Sequence, residues 1–140
     1  MGKSEYVKLT IGFVSLLVGG LIYVLFRPES LLMFHALRAM GMMGVVERMR
    51  ESVAGWQLPE FVVFCLPNGL WVVAYTMLMD VLWRNKSEKV RMGWACLMPV
   101  AGCLSEVGQM CGLVPGTFDW VDLACYAVPY IIYCLIIRKI

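Results

Sequence analysis

Charge is scarce in this sequence. Only 16% of its 140 residues are Asp, Glu, Lys or Arg, and there is a single histidine, His35. A soluble domain of this size buries a small fraction of its surface and so needs a polar shell. With 61% apolar residues and a mean hydropathy of +0.75, too little polar surface remains to make one. A bilayer removes that requirement. The formal net charge of +2 is too small for a nucleic-acid partner to be expected, and there is no basic patch interleaved with aromatics. Cys65, Cys96, Cys103, Cys111, Cys125 and Cys134 form no C-x-x-C pair and have no His at ligand spacing. They are expected to act as small hydrophobes, and neither a metal nor a cofactor is expected. No Ser or Cys stands in a nucleophile–base pattern with His35, so the chain is not expected to be an enzyme. There is no internal repeat and no low-complexity stretch, and 140 residues make one domain.

What the sequence does have is long apolar runs. Four of them, at about 9–26, 61–83, 93–114 and 120–137, are each long enough to cross a hydrocarbon core of ~30 Å. In lipid every backbone polar group must be satisfied within its own segment, so all four are expected to be helices. The expected architecture is an all-α, polytopic membrane protein, a single integral membrane domain over residues 1–140. The first run is too long for a signal peptide. No small-residue cleavage site follows it and Arg27–Pro28 closes it, so it reads as a retained anchor. Basic residues cluster in the loop RNKSEKVR (84–91), at Lys3 and Lys8, and at Arg138 and Lys139. With four spans these regions share one side, and the positive-inside rule makes that side cytoplasmic. The turn PGTFDW, which has no Lys or Arg, then faces outward. Against this, the first loop carries Arg27, Arg38, Arg48 and Arg50. Within that loop, LLMFHALRAMGMMGVV (31–46) is too short to span and too apolar for water. Two expectations stay open for it: a re-entrant or interfacial helix at the outer face, or a helix packed over the bundle.

An ionisable residue inside a span is costly, which makes it a candidate functional residue. Glu106 lies about eight residues below the outer end of the third run, or ~12 Å. Gln109 and Gly102 share its helix face. Asn68, in LPNGLW (66–71), lies ~10 Å below the outer end of the second run. Asp119 and Asp122 open the fourth run one turn apart. All five polar groups therefore reach a similar depth. Clustered carboxylates in low dielectric resist simultaneous ionisation, which suits proton transfer, cation binding or recognition of a polar head group. Arg38, or His35 beside it, is the candidate opposing charge. An interhelical hydrogen-bond network that only fixes packing is the structural alternative, and Asp119 is also placed to cap the fourth helix. Asp80 reads as an i,i+4 partner of Arg84, and Gly108-x-x-x-Gly112 as a close-packing motif.

The stretch EVGQMCGLVPGTFDWVD (106–122) resembles the signature of the VanZ-like family of small bacterial membrane proteins. In that signature a Glu and a Gln three residues apart precede a turn and two acidic residues. Here those positions are Glu106, Gln109, Asp119 and Asp122. LPNGLW also resembles a segment of related sequences, so the similarity covers roughly residues 66–130. Gly116 and Thr117 stand where the family often has an Arg, and Tyr126 and Pro129 where it has Asn and Gly. The resemblance implies a small bacterial inner-membrane protein, and the positive-inside rule places both termini of this multi-pass chain in the cytoplasm. It also implies an envelope context linked to glycopeptide resistance or lipid handling. The residues it implies are Glu106, Gln109, Asp119 and Asp122; with Asn68, from its depth, and Arg38, as the candidate opposing charge, these are the expected binding residues. The expected partners are membrane lipid and a second copy or another membrane subunit. A small ion- or proton-coupled transporter and a non-catalytic assembly subunit are the other functions that this pattern accommodates.

Overall fold

In a computed structural model of the chain, which describes residues 2–139 and only the backbone of Lys139, the first apolar run lies in a helix of 24 residues, α1 (Lys3–Phe26). Two short helices follow, α2 (Leu32–Ala39) and α3 (Met43–Ser52). Then come α4 (Glu60–Phe64) and α5 (Leu66–Leu82), α6 (Glu88–Ala95) and α7 (Leu97–Met110), α8 (Trp120–Leu135) and a closing 3-10 turn, Ile137–Lys139. The described residues are all-helical, with no strand. Two helices are long and apolar enough to cross a membrane, α1 and the combined α4–α5 stretch Glu60–Leu82; α8 is apolar but shorter.

α5 is the central element, with α1 on one side and α8 and α7 on another. Residues Lys8, Gly12 and Gly19 are the buried positions of α1, and their spacing of four and seven puts them on one helix face. A β-carbon at Gly12 would lie 3.2 Å from Met77 Cβ, and one at Gly19 would lie 2.9 Å from Trp71 Nε1. Small residues thus let the two backbones approach, as in close-packed membrane helices. The opposite face of α1, with Phe13, Leu17 and Leu21, is bare. An apolar cavity of about 760 Å³, lined by residues of α1, α5 and α7, opens beside Phe13, Leu16, Tyr75 and Met98.

Prolines account for the breaks. Pro67 follows the interruption at Cys65, and Pro99 follows the one at Cys96. Pro99 has no N–H to offer the Ala95 carbonyl. The Thr76 hydroxyl of α5 lies 3.5 Å from that oxygen, while Tyr75 and Tyr130 donate to the carbonyls of Trp94 and Met92 at 3.0 and 3.3 Å. Side-chain hydroxyls from two neighbouring helices therefore serve carbonyls at the end of α6.

Several boundaries differ from the sequence reading. The third run, expected at 93–114, divides into α6 and α7 and stops at Met110. Gly112, at φ +70°, is the residue after the cap. Its N–H donates to Gln109 O at 3.1 Å and that of Leu113 to Gly108 O at 2.8 Å, a Schellman ending. Gly108 and Gly112 thus terminate a helix rather than pack two helices together. The apolar loop segment 31–46 is likewise two helices, because Gly41 at φ +70° ends α2 in the same way. These helices sit over the end of α1. Buried Phe34 stacks on Tyr23 at 6.3 Å, and Arg50 lies 5.0 Å above the Phe34 ring. Arg50 also donates to the carbonyls of Val24 and Arg27 and pairs with Glu29 at 2.9 Å. A cation is thereby placed on the unsatisfied C-terminal carbonyls of α1, where the helix dipole favours it.

Candidate functional site

The end of α7, the start of α8 and the α4–α5 break meet at one end of the bundle. Gly102 makes this approach possible. A β-carbon there would fall 2.2 Å from Tyr126 Cδ1, so α8 lays its Tyr126 ring directly on the α7 backbone. Asp119 caps α8, its Oδ1 accepting from Val121 N at 2.7 Å, as the sequence reading allowed. Glu106 reaches across from α7, and its Oε2 accepts from Asp119 N at 3.2 Å. Asn68, at the start of α5, donates to Asp122 Oδ1 at 3.1 Å. Asn68, Glu106, Asp119 and Asp122 therefore do converge.

Glu106 is only 4% exposed and forms no ion pair among the described residues. Its Oε1 accepts no hydrogen bond there either. A buried carboxylate with no cation beside it is an expensive arrangement.

Gln109 and Arg38 behave differently. The Gln109 amide lies against the turn at Gly116, where a β-carbon would come within 2.8 Å of Gln109 Cδ. It borders the cluster without bonding to it. Arg38 is exposed and approaches Glu29 at 3.9 Å, and His35 is exposed beside it. Neither supplies the opposing charge for Glu106, because α2 presents both to the surface while Phe34 takes the buried position.

Cys65 belongs to the cluster, although its sequence context marked it only as a small hydrophobe. It is buried, and its Sγ and the carboxylates of Asp119 and Asp122 all lie within 4.8 Å of one another. A lone Cys in an apolar run carries no periodic signal, and its neighbours are more than fifty residues away in sequence.

A second polar cluster occupies the other end of the bundle. Asp80 of α5 is buried. It pairs with Lys8 of α1 at 2.9 Å and with Arg91 of α6 at 3.0 Å, and it accepts from the Tyr133 hydroxyl of α8 at 2.5 Å. The expected Asp80–Arg84 pair does not form. Arg84 turns instead to Glu5 at 3.3 Å, and Arg138 pairs with Glu88 at 2.9 Å. The N-terminal residues, the 84–91 loop and the last turns of the chain thus share one end of the molecule. Lys8 was legible as a boundary charge. Its four-residue spacing from Gly12 is the signal that puts it on the packing face.

No protein-family model matches the chain, nor does any curated protein or solved structure.

Proposed function

We propose that this chain is a four-span, VanZ-like protein of the bacterial inner membrane. In this reading an acidic site in the outer half of the bilayer binds the polar head of an envelope component. The observation that carries it is the convergence of Asn68, Glu106, Asp119 and Asp122 at one end of the bundle, with Lys8, Arg84, Arg91 and Arg138 at the other; Arg27 and Arg50, at the end of α1, share the acidic end. The basic termini and 84–91 loop, with no Lys or Arg in the turn PGTFDW, fit the positive-inside rule, against which stand the arginines of the first loop. The exposed faces of α1, α7 and α8, among them Phe13, Leu104 and Leu135, fit a lipid solvent. Three carboxylates and an amide favour a ligand rich in amino or hydroxyl donors. The apolar cavity beside Phe13 and Met98 offers room for a lipid tail.

Deletion is expected to change sensitivity to lipid-tailed glycopeptides and other envelope-directed antibiotics. Wild-type protein should restore the phenotype, and Glu106→Gln expressed at the same membrane level should not. Unchanged sensitivity across that panel, or full rescue by Glu106→Gln, refutes the reading. An ion- or proton-coupled transporter is the second reading, favoured by the lack of a charge partner for Glu106. It requires ion-dependent flux in liposomes that Glu106→Gln abolishes while the protein stays folded.

A further inference from the structure

We propose that the apolar groove lined by α1, α5 and α7 binds one acyl chain of an anionic phospholipid from the cytoplasmic leaflet, with Lys3 at the level of its phosphate. The inference rests on the membrane reading of the chain and its orientation, but not on the ligand of the acidic site. α5 lines the groove with Ala74, Tyr75 and Leu78, α1 with Leu9 and Phe13, and α7 with Met98. Its volume of about 760 Å³ is that of a small-molecule site. The Thr10 hydroxyl donates to the Tyr6 carbonyl at 2.9 Å, and the Tyr75 hydroxyl to the Trp94 carbonyl at 3.0 Å. Both hydroxyls are spent within the protein. The walls are left apolar, which suits a hydrocarbon chain and penalises a polar ligand.

The two ends of the groove differ. Toward the acidic end it stops at Leu16 and Trp71. Just beyond, the Trp71 indole lies on Gly19, where a β-carbon would come within 2.9 Å of Nε1, and the Tyr23 ring packs on it at 5.2 Å. A chain entering from the outer leaflet finds that way closed. Toward the basic end, Thr10 also lines a second cavity of about 540 Å³, together with Lys3 and Tyr6. Lys3, Tyr6, Thr10 and Phe13 follow helical spacing, so one stripe of α1 leads from the charge into the groove. Glu5 lies off this stripe and is paired with Arg84 at 3.3 Å. Lys3 itself has no ion pair among the described residues.

Length and charge then identify the occupant. From Lys3 to Leu16, α1 rises ~20 Å. Half of a hydrocarbon core is ~15 Å. An acyl chain whose head group sits near Lys3 therefore ends where the groove does. An unpaired ammonium at the cytoplasmic surface complements an anionic head group. Tyr6, beside it, is the kind of ring that sits at head-group level. Bulk lipid covers any apolar face; a bound lipid is told apart by one-to-one stoichiometry and by preference for its head group.

The test uses the full chain, purified in detergent, and native mass spectrometry with palmitoyl-oleoyl phosphatidylglycerol and phosphatidylcholine. The two lipids share their chains and differ in head-group charge. One phosphatidylglycerol per chain should be retained, about fivefold more tightly than phosphatidylcholine, the worth of one lysine at a membrane surface. Lys3→Gln should remove that preference. Leu16→Trp, which fills the groove from a half-exposed position, should weaken retention of both lipids about tenfold. Leu21→Trp, beyond the Trp71 closure, should change neither. Phosphatidylglycerol carrying a photoreactive diazirine in mid-chain should label peptides from 9–16 and 71–78. Helical circular dichroism identifies a variant that has not folded, and Lys3→Gln and the labelled peptides then decide. Equal retention of the two lipids, or binding indifferent to Lys3 and Leu16, overturns the proposal. So does a second copy in the groove, seen as a dimer that Leu16→Trp splits. Loss of the antibiotic phenotype in Glu106→Gln without selective lipid retention refutes this inference alone. Lys3-dependent phosphatidylglycerol binding with no phenotype on deletion refutes the envelope reading alone.

Discussion

Asp80→Asn tests the polar cluster that ties the bundle together. The substitution keeps the shape of the side chain and removes its charge. Three partners lose it together: Lys8, Arg91 and the Tyr133 hydroxyl, at 2.9, 3.0 and 2.5 Å. The Lys8 and Asp80 side chains are 9% and 3% exposed, so solvent does not replace the missing partner. Breaking a buried pair from one side typically costs about 3–5 kcal/mol, because a charge is stranded. The amide oxygen can still accept from Tyr133, whereas its NH₂ faces the Lys8 ammonium donor to donor. A loss of about 3–5 kcal/mol is therefore expected for Asp80→Asn. The double variant Lys8→Met, Asp80→Asn should recover part of it, since neither half of that pair is then left alone. The exposed Glu5–Arg84 pair is the internal control, and Glu5→Gln should cost at most about 1 kcal/mol. Unfolding free energies from denaturant titration in mixed micelles measure all three. If Asp80→Asn costs no more than Glu5→Gln, or the double variant is worse than the single by the full cost of Lys8→Met, the cluster is not a stabilising centre of the bundle.

Three further expectations follow from individual contacts. Gly102→Ala places a methyl group 2.2 Å from the Tyr126 ring; it should cost about 1–3 kcal/mol, and Tyr126→Leu in the same chain should recover most of that. Arg50→Ala strips the cation from the end of α1 and should lower stability by about 1.5–3 kcal/mol in the same titration. Arg50→Lys should rescue it poorly, because one ammonium cannot reach two carbonyls and Glu29 in the fork geometry of guanidinium. Cys111, exposed beyond α7, should react with a membrane-impermeant maleimide added outside intact cells. A cysteine introduced as Ser87→Cys should react only in inverted vesicles, and labelling of both from the same side refutes the proposed topology.

The apolar helices, though not all of their ends, were the most legible part of the chain, because they depend on contiguous residues. Hydropathy marked the end of α1 and both ends of the Glu60–Leu82 stretch closely, while α1 begins at Lys3, ahead of the expected start at residue 9. The Asp119 cap was readable because it serves an N–H two positions away. The early stop of α7 was carried by Gly112, a signal present in the sequence that the GxxxG spacing masked. Depth along each run also brought Asn68, Glu106, Asp119 and Asp122 to one level, and the structure joins Asn68 to Asp122 and Glu106 to Asp119.

Charge partners were not legible in the same way. They depend on how each helix is rotated about its axis and which helix lies beside it. Asp80 finds Lys8 seventy-two residues away rather than Arg84 in its own turn, because the α1–α5 glycine face brings Lys8 to it. Arg38 points outward and Arg50 inward for the same kind of reason, since Phe34 claims the buried side of α2. Cys65 joins Asp119 and Asp122 only because the α4–α5 break meets the start of α8. The sequence by itself determined where the apolar helices run and that Glu106 would lie among them, since both follow from local hydropathy and backbone hydrogen bonding. Only the tertiary structure decided that Glu106 would have no cation beside it and that a thiol would stand in its cluster, because both depend on which helix faces which.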